Sequence, residues 1–185
     1  MVAPVDDDDE VLVHRARAGE QAAFASLLRR HDAALRRLAW HLLRDRHLMD
    51  DVLQQAYLKA FLGLRSFRQG ASVKAWLSKI TWNACIDELR RAHRREVASG
   101  DGPPESRLAQ RGPAGVVGDR MVLDAALSRL PLEQRAVVLL VDAEGYGYKD
   151  AAAVLGVAPG TVASRLSRAR AALRSSLADG EAELG

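Results

Sequence analysis

Apolar residues recur at helical spacing on both sides of a segment rich in proline and glycine, and this pattern limits the folds open to the chain. Residues 96–120 lack periodicity and hold three of the six prolines, which predicts a flexible linker. No stretch alternates apolar and polar residues as a half-buried strand does. The sequence therefore predicts an all-α fold of two small helical domains, 11–95 and 121–178, with an acidic flexible leader at 1–10 and a tail at 179–185.

The periodic segments predict four helices in each domain. Those of the first domain are expected at residues 20–30, 32–45, 49–65 and 73–95, with Ser72 as the N-cap of the last one. Those of the second domain are expected at residues 121–129, 132–143, 148–155 and 160–177. Three short helices and a longer final one, with a glycine-containing turn before it, are typical of a helix-turn-helix.

Charge is distributed unevenly along the chain, although its formal net value is only +3. Residues 14–95 carry 17 Lys and Arg against 7 Asp and Glu, whereas residues 6–10 are all acidic. Such a cationic block attracts polyanions; an ordinary solvated, arginine-rich surface is the alternative. With one cysteine and no apolar run near the ~20 residues of a membrane span, we expect a cytoplasmic protein without disulfides or membrane insertion.

The helix predicted at 49–65 has two distinct faces. Its apolar face is expected in the core and comprises Val52, Leu53, Ala56, Tyr57, Ala60, Phe61 and Leu64. The other face comprises Asp51, Gln54, Gln55, Leu58, Lys59 and Leu62. Leucines within a polar stripe indicate docking on a partner, or contact with a neighbouring helix of the same domain, and the pattern leaves both open.

The helix predicted at 73–95 also has two faces. Val73, Trp76, Leu77, Ile80 and Ala84 form the expected core face. A separate stripe comprises Lys79, Trp82, Asn83, Ile86 and Arg90, followed by Arg91 and Arg94. Cations neutralise phosphates, an asparagine can pair with a base edge and an indole can stack on an unpaired base. The stripe therefore predicts a nucleic-acid surface, although a core position is the alternative for Trp82.

The last predicted helix places a narrow apolar seam opposite a face of small residues and arginines. The seam comprises Val162, Leu166, Ala169 and Leu173, and the opposite face comprises Ala163, Ser164, Ser167, Arg168 and Ala171. Small side chains let a helix approach the major groove, where Arg168 reaches bases or phosphates while Arg165, Arg170 and Arg174 flank it. Gly160 and Thr161, at the helix start, are expected to offer free N–H groups to a phosphate.

In order and spacing, these segments resemble the extracytoplasmic-function (ECF) sigma factors of bacterial RNA polymerase. In the first domain the resemblance rests on Asp51 to Phe61, on Phe67-Arg68, and on Ala75-Trp76-Leu77 through Asn83 to Arg91. In the second it rests on Leu130-Pro131, Gln134-Arg135, Gly145, Tyr148, Leu155-Gly156-Val157, and Gly160 to Arg170. The order of these fragments around a Pro/Gly linker makes a chance match improbable.

The resemblance implies a partner for each predicted surface. The stripe of Asp51, Gln54, Gln55, Leu58, Lys59 and Leu62 would bind the clamp helices of the largest subunit of RNA polymerase, whose flap is a further expected contact. Phe67, Arg68 and Ser72, together with the stripe from Lys79 to Arg94, would hold a flipped base of the minus-ten element. The final helix would read the minus-thirty-five element, and an anti-sigma factor is an expected inhibitory partner.

Three departures from the family pattern bear on DNA reading. Ala163 and Ser167 stand where the family often has a basic residue and a histidine or aromatic residue. Gly147 stands where the family usually has serine, at the start of the helix predicted at 148–155. We therefore expect an unusual upstream element, or affinity that comes mainly from Arg168 and phosphate contacts.

Two other classes of function compete with this interpretation. A DNA-binding regulator independent of polymerase would share the helix-turn-helix, but the first domain lacks the βα pattern of a phosphoacceptor domain. An enzyme is disfavoured because Cys85 has no histidine one helical turn away, and because no glycine-rich phosphate loop is present. His31, His41 and His47 lack metal-ligand spacing with Cys85, so we expect neither a metal nor a cofactor.

Overall fold

The computed structural model describes residues 8–68, 70–99 and 119–182, and all regular structure in these residues is helical. The helices are α1 (Asp9–Arg17), α2 (Gln21–Leu43), α3 (Arg46–Gly63), α4 (Val73–Ser99), α5 (Asp119–Arg129), α6 (Leu132–Val138), α7 (Tyr148–Leu155) and α8 (Pro159–Ala182). A 3-10 turn, Leu64–Ser66, follows α3, and a π turn, Leu139–Ala143, follows α6. The predicted all-α class is therefore confirmed.

Several predicted helix boundaries are wrong. Helix α1 was not predicted, and the helices expected at 20–30 and 32–45 are one continuous helix, α2. Leu27, Leu35 and Leu38 are all buried, so the apolar stripe continues through residue 31 without a break. Helix α4 extends to Ser99 and α8 to Ala182, whereas residues 1–7, 100–118 and 183–185 of the predicted leader, linker and tail lie outside the described residues.

The first four helices enclose one apolar core, in which α2 lies between α1, α3 and α4. Leu27 and Leu35 of α2, Leu53 of α3 and Leu77 of α4 are almost completely excluded from solvent. Ser72 accepts a hydrogen bond from the main-chain N–H of Ala75 at 3.1 Å, as expected for an N-cap of α4. These contacts fix the orientation of α3 and α4, which carry the two predicted binding faces of this domain.

The last four helices form the second core. Val162, Leu166 and Ala169 of α8 are buried against α6 and α7, which confirms the predicted seam. Gly156 ends α7 with a φ of 68°, a left-handed conformation that glycine adopts without strain. The turn that follows brings the chain into α8, so α7 and α8 form the expected helix-turn-helix.

The two domains also pack against each other, through α2 and α4 on one side and α5 to α7 on the other. The side chain of Arg44 is buried and donates to the Asp124 carboxylate at 2.6 Å. The Tyr146 hydroxyl lies 2.7 Å from the Ser78 hydroxyl, and Arg37 pairs with Glu144 at 2.7 Å. The contact therefore contains a polar network in addition to buried apolar residues, because the apolar cores of the two domains are continuous.

Burial gives the groups in this contact distinct charge states. Arg135 donates to the His41 carbonyl at 2.7 Å, and burial lowers its pKa to about 10, so it stays charged near neutral pH. Burial lowers the pKa of His41 to about 4, with a further contribution from the Arg44 guanidinium. His41 is therefore neutral near pH 7, with Nδ1 3.4 Å from the Asp124 carboxylate.

Candidate functional site

The exposed face of α3 is the first of three candidate binding surfaces. All six residues predicted for polymerase binding are exposed, namely Asp51, Gln54, Gln55, Leu58, Lys59 and Leu62. Leu58 is 59% exposed and Leu62 is 70% exposed. These leucines do not pack on a neighbouring helix of the domain. Of the two interpretations of this face, docking on a partner is therefore the one that agrees with the structure.

Phe61 does not lie where the sequence placed it. It was assigned to the core face of α3, but it is 47% exposed. Only one side of its ring is covered, by an edge contact with Phe24 at a centroid distance of 5.2 Å. Phe61 therefore extends the apolar part of the α3 surface beside Leu58 and Leu62.

The second surface lies on α4 and on the turn before it. Its exposed members are Arg68, Ser72, Lys79, Asn83, Arg90, Arg91 and Arg94, and Ile86 is half-buried. Asn83 lies one helical turn from Lys79, so an amide and a cation are presented together. This pairing supplies both base-edge and phosphate chemistry on one helix face.

Two aromatic residues assigned to this surface are buried instead. Trp82 is only 8% exposed and Phe67 only 7%. The Phe67 ring packs against Trp76 with a centroid distance of 4.8 Å. A covered indole cannot offer its face to a base, so the structure favours the core alternative for Trp82, and Phe67 supports the turn from inside.

The third surface is the exposed side of α8. Gly160, Ser164, Ser167, Arg168 and Arg170 are exposed, and Thr161 and Arg165 are half-buried. The Ser164 hydroxyl donates to the Thr161 carbonyl at 3.1 Å, and Arg168 Nε donates to the Ser164 carbonyl at 3.3 Å. The guanidinium of Arg168 thus lies back along its own helix, beside the small side chains of Ser164 and Ser167.

Two expectations for α8 need correction. The Thr161 N–H donates to the Ala158 carbonyl at 2.9 Å, so it is not free for a phosphate. Arg170 makes two hydrogen bonds to Asp142, at 2.5 and 3.0 Å, and this partner raises the pKa of the guanidinium above its usual value. No acid occurs between Thr161 and Leu177, so the pattern of α8 alone does not predict a carboxylate partner from the π turn.

Carboxylate pairing separates the cations of the predicted DNA surfaces into two groups. Arg91 and Arg95 pair with Glu88 at 3.0 and 2.8 Å, and Arg170 pairs with Asp142. The cations that form no ion pair within the described part of the chain are Arg68, Lys79, Arg90, Arg94, Arg165, Arg168 and Arg174. A cation without a carboxylate partner can neutralise a phosphate without first losing an internal ion pair.

Chemistry at Cys85 is blocked by its surroundings. Its side chain is completely buried, and burial raises the pKa of the thiol to about 12. A thiol that is protonated and shielded from solvent cannot act as a nucleophile. Within residues 8–68, 70–99 and 119–182, no group of three His, Cys, Asp or Glu side chains could hold a metal ion.

Sequence reasoning missed two sets of residues with clear structural roles. Arg17 donates hydrogen bonds to the turn that precedes Arg68. The interdomain contact uses Arg44, Tyr146 and their partners. A signal for the second set was present, since Lys74, Ser78, Thr81 and Cys85 share one side of α4 that no predicted surface uses.

Comparison with known families assigns each domain. Residues 27–95 match Sigma-70 region 2, and residues 120–173 match Sigma-70, region 4. The first range contains α3 and most of α4, and the second contains α7 and most of α8. None of the helices in the described part of the chain is long and apolar enough to cross a membrane.

Similar proteins with known roles agree with these matches. The chain is 46% identical over 158 residues to the ECF RNA polymerase sigma factor SigM of Mycobacterium tuberculosis, covering 84% of this chain and 78% of that protein. It is 35% identical over 189 residues to the ECF sigma factor SigE of Mycolicibacterium smegmatis, covering 98% of this chain and 73% of that protein. These relatives belong to a class of transcription subunits that is non-enzymatic.

Solved structures agree as well. The sigma factor RpoE of Bartonella quintana, bound to the anti-sigma factor NepR, superposes with a TM-score of 0.73 at 31% identity, covering 83% of this chain and 96% of that one. CnrH, bound to the cytosolic domain of CnrY, superposes with a TM-score of 0.68 at 31% identity, covering 94% of this chain and 99% of that one. The chain therefore belongs to the ECF sigma factors, the subunits that bind RNA polymerase and direct promoter-specific transcription initiation.

Proposed function

We propose that this sigma factor docks on polymerase through α3, opens the minus-ten element with α4 and the turn before it, and reads the minus-thirty-five element with α8. The observation that carries the proposal is the set of cations without carboxylate partners on the two DNA surfaces. It comprises the exposed Arg68, Lys79, Arg90 and Arg94 on the first, and the half-buried Arg165 with the exposed Arg168 and Arg174 on the second.

The α3 surface supplies the polymerase contact in this proposal. Leu58, Phe61 and Leu62 give it an apolar centre, and Asp51, Gln55 and Lys59 give it a polar border. An apolar centre inside a polar rim is the usual organisation of a protein interface, and a helix face of this kind fits a partner helix. The clamp helices of the largest subunit are the proposed partner, with the flap as a second contact for the C-terminal domain.

Promoter opening falls to the turn after Phe67 and to the start of α4. Flipping a base costs a few kcal/mol of lost stacking, so the protein must offset this with new contacts. Arg68 and Ser72 are exposed between Phe67 and the start of α4, and Lys79 and Asn83 continue the surface along α4. We assign the captured base to the turn and the neighbouring phosphates to the cations of α4.

Upstream recognition falls to α8. Arg168 lies on a strip in which Ser164 and Ser167 are small and exposed. One bidentate arginine contact to guanine contributes about 1–3 kcal/mol of discrimination, so a single arginine can set a preference at one base pair. Arg165 and Arg174 are placed to contact the phosphates on either side.

An anti-sigma factor is the proposed regulator. RpoE of Bartonella quintana and CnrH were both solved with anti-sigma partners. In this chain the exposed Leu58 and Leu62 offer an apolar contact that such a partner would compete for. Affinity purification of the chain from its native cell should recover a small protein besides polymerase; recovery of polymerase alone would count against this regulator.

Transcription in vitro tests the proposed function. The purified chain is added to polymerase core free of other sigma factors, together with fragments of genomic DNA, and transcript ends are mapped. We expect new, discrete start sites that require the chain. Start sites identical to those of core alone would refute the proposal.

A further inference from the structure

The N-terminal helix α1 is fixed in place by α2. Asp9 lies 2.8 Å from Arg30 Nη1 through one carboxylate oxygen and 2.8 Å from His31 Nε2 through the other. The His31 side chain is buried, and Leu12 and Val13 of α1 are buried beneath it in the shared core. Helix α1 is therefore a firm part of the first domain, although it precedes residues 27–95, the range that matches Sigma-70 region 2.

Arg17, in the last turn of α1, reaches the main chain at the end of α3. Its Nε donates to the Leu64 carbonyl at 3.0 Å, and its Nη2 donates to the Phe67 carbonyl. A longer contact of 3.5 Å joins Nη2 to the Arg65 carbonyl. One guanidinium thus bridges three of the four carbonyls of the segment 64–67.

Arg17 adds a donor to main-chain carbonyls that follow α3; of these, the Leu64 carbonyl also accepts from the Phe67 N–H at 3.2 Å. The last carbonyls of a helix have no partner within the helix, and they carry the negative end of its dipole. The planar fork of an arginine can satisfy several acceptors at once, which the single ammonium of a lysine cannot do with the same geometry. Arg17 therefore fixes the path of the main chain where α3 ends.

The same turn is held from its other side by Phe67. The Phe67 ring is buried against Trp76 of α4, so the carbonyl and the side chain of this residue are both engaged. Arg68, the next residue, is exposed. The position of Arg68 relative to α4 is therefore set by Arg17 from outside and by Trp76 from inside.

We infer that Arg17 is a positioning residue for promoter opening. It presets the segment 64–67, so that Arg68 and Ser72 meet the flipped minus-ten base without having to be ordered at that moment. Ordering a loop during binding costs free energy, and a preorganised loop avoids that cost. The inference rests on the proposed function, since it concerns the turn to which base capture is assigned.

The test compares promoter opening by holoenzymes carrying the full-length wild type, Arg17→Ala or Arg17→Lys. Opening is measured by permanganate reactivity of unpaired thymines on a promoter selected with the wild type. We expect Arg17→Ala to reduce opening about tenfold and Arg17→Lys to reduce it less, with polymerase binding within twofold of wild type. Arg15→Ala is the matched control, because Arg15 is on the same helix and pairs with Glu20 at the surface; it should open the promoter like the wild type.

Promoters with a single abasic site separate positioning from a general loss of structure. In the wild type, removal of the captured base from the non-template strand should reduce opening strongly. In Arg17→Ala the same removal should have little further effect, because capture is already impaired. Three results would overturn the inference. The first is that every abasic position reduces promoter opening equally in the wild type and in Arg17→Ala. The others are full promoter opening by Arg17→Ala, and a fall in polymerase binding as large as the fall in opening. If the wild type opened no promoter, the proposed function would fail first, which distinguishes the two results.

Discussion

At the residue scale, the arginines serve two purposes that the composition does not separate. Arg44 and Arg135 are buried and donate to carbonyls or a carboxylate across the interdomain contact. Arg68 and Arg168 are exposed and form no ion pair within residues 8–68, 70–99 and 119–182. Excess positive charge in the sequence indicates nucleic acid, but only packing shows which cations remain available for it.

His41 gives a pH dependence of stability. Its pKa of about 4 in the folded protein lies below the usual 6.5, so the unfolded chain takes up a proton at a higher pH than the folded chain. Its neighbours Arg44, Arg135 and Arg37 oppose protonation and Asp124 favours it. The stability that the folded protein gains from its low His41 pKa is present above pH 6.5 and is lost as the pH falls toward 4.

We therefore expect the free energy of unfolding, measured with urea, to fall by on the order of 1 kcal/mol between pH 7 and pH 5. In His41→Gln this fall should be smaller. His47→Gln is the control, because His47 is exposed at the start of α3. This control should follow the wild-type curve. A slope unchanged by His41→Gln would show that His41 is not the titrating group.

Cys85 gives a second residue-scale prediction. Because its thiol is buried with a pKa of about 12, iodoacetamide at pH 8 should modify the folded protein at least 100-fold more slowly than the urea-unfolded chain. Mass spectrometry over time measures both rates. Equal rates would contradict the burial of this side chain.

At the element scale, the sequence predicted the helices with strong apolar stripes and missed those set by tertiary contacts. The predicted seam identified α8 correctly, because Val162, Leu166 and Ala169 are buried and Leu173 is partly buried against the core. Helix α1 has an apolar stripe of Leu12, Val13 and Ala16, but it is only nine residues long, and its place depends on the pairing of Asp9 with Arg30 and His31. Trp82 could not be assigned from one helix, because its burial depends on the neighbouring elements.

The α3 surface gives the prediction at this scale. Replacing Leu58 and Leu62 with serine should weaken polymerase binding by at least tenfold, because these exposed leucines form the apolar centre of the surface. The stability of the free chain should change by less than about 0.5 kcal/mol, as is usual at exposed positions. Fluorescence anisotropy with labelled chain and core polymerase measures the affinity.

Leu53→Ala is the matched control on the same helix. Leu53 is buried, so this variant should lose about 2–5 kcal/mol of stability. Its folded fraction should nevertheless keep the affinity of the wild type for polymerase. The opposite pattern, with unstable surface variants and normal binding, would remove α3 as the docking element.

At the scale of the whole molecule, the interdomain contact conflicts with the proposed simultaneous reading of two promoter elements. The minus-ten and minus-thirty-five elements lie about 25 base pairs apart, which is about 85 Å at about 3.4 Å for each base pair. A compact chain of 185 residues has a radius of gyration of about 16 Å, or about 40 Å across. The contacts of Arg44 with Asp124 and of Tyr146 with Ser78 must therefore break when both elements are bound.

Domain separation can be measured with labels on the two domains. Because Cys85 is buried, cysteines introduced at the exposed positions Ala33 and Ser175 can be labelled selectively. We expect energy transfer to report a short distance between the two labels in the free chain. When core polymerase is added, this distance should increase by tens of ångströms. Asp124→Arg should lengthen the distance in the free chain, because it places like charges beside Arg44. A distance that polymerase leaves unchanged would contradict this account.

The most direct test of two separate reading surfaces is selection from a promoter library randomised upstream of a start site and transcribed by the reconstituted holoenzyme. Sequencing of the transcribed templates should return two preferred blocks at a fixed spacing. Arg168→Ala should relax preference in the upstream block alone, and Asn83→Ala in the downstream block alone. A single block, or two variants that each relax both blocks, would contradict the assignment of α8 and α4 to different elements.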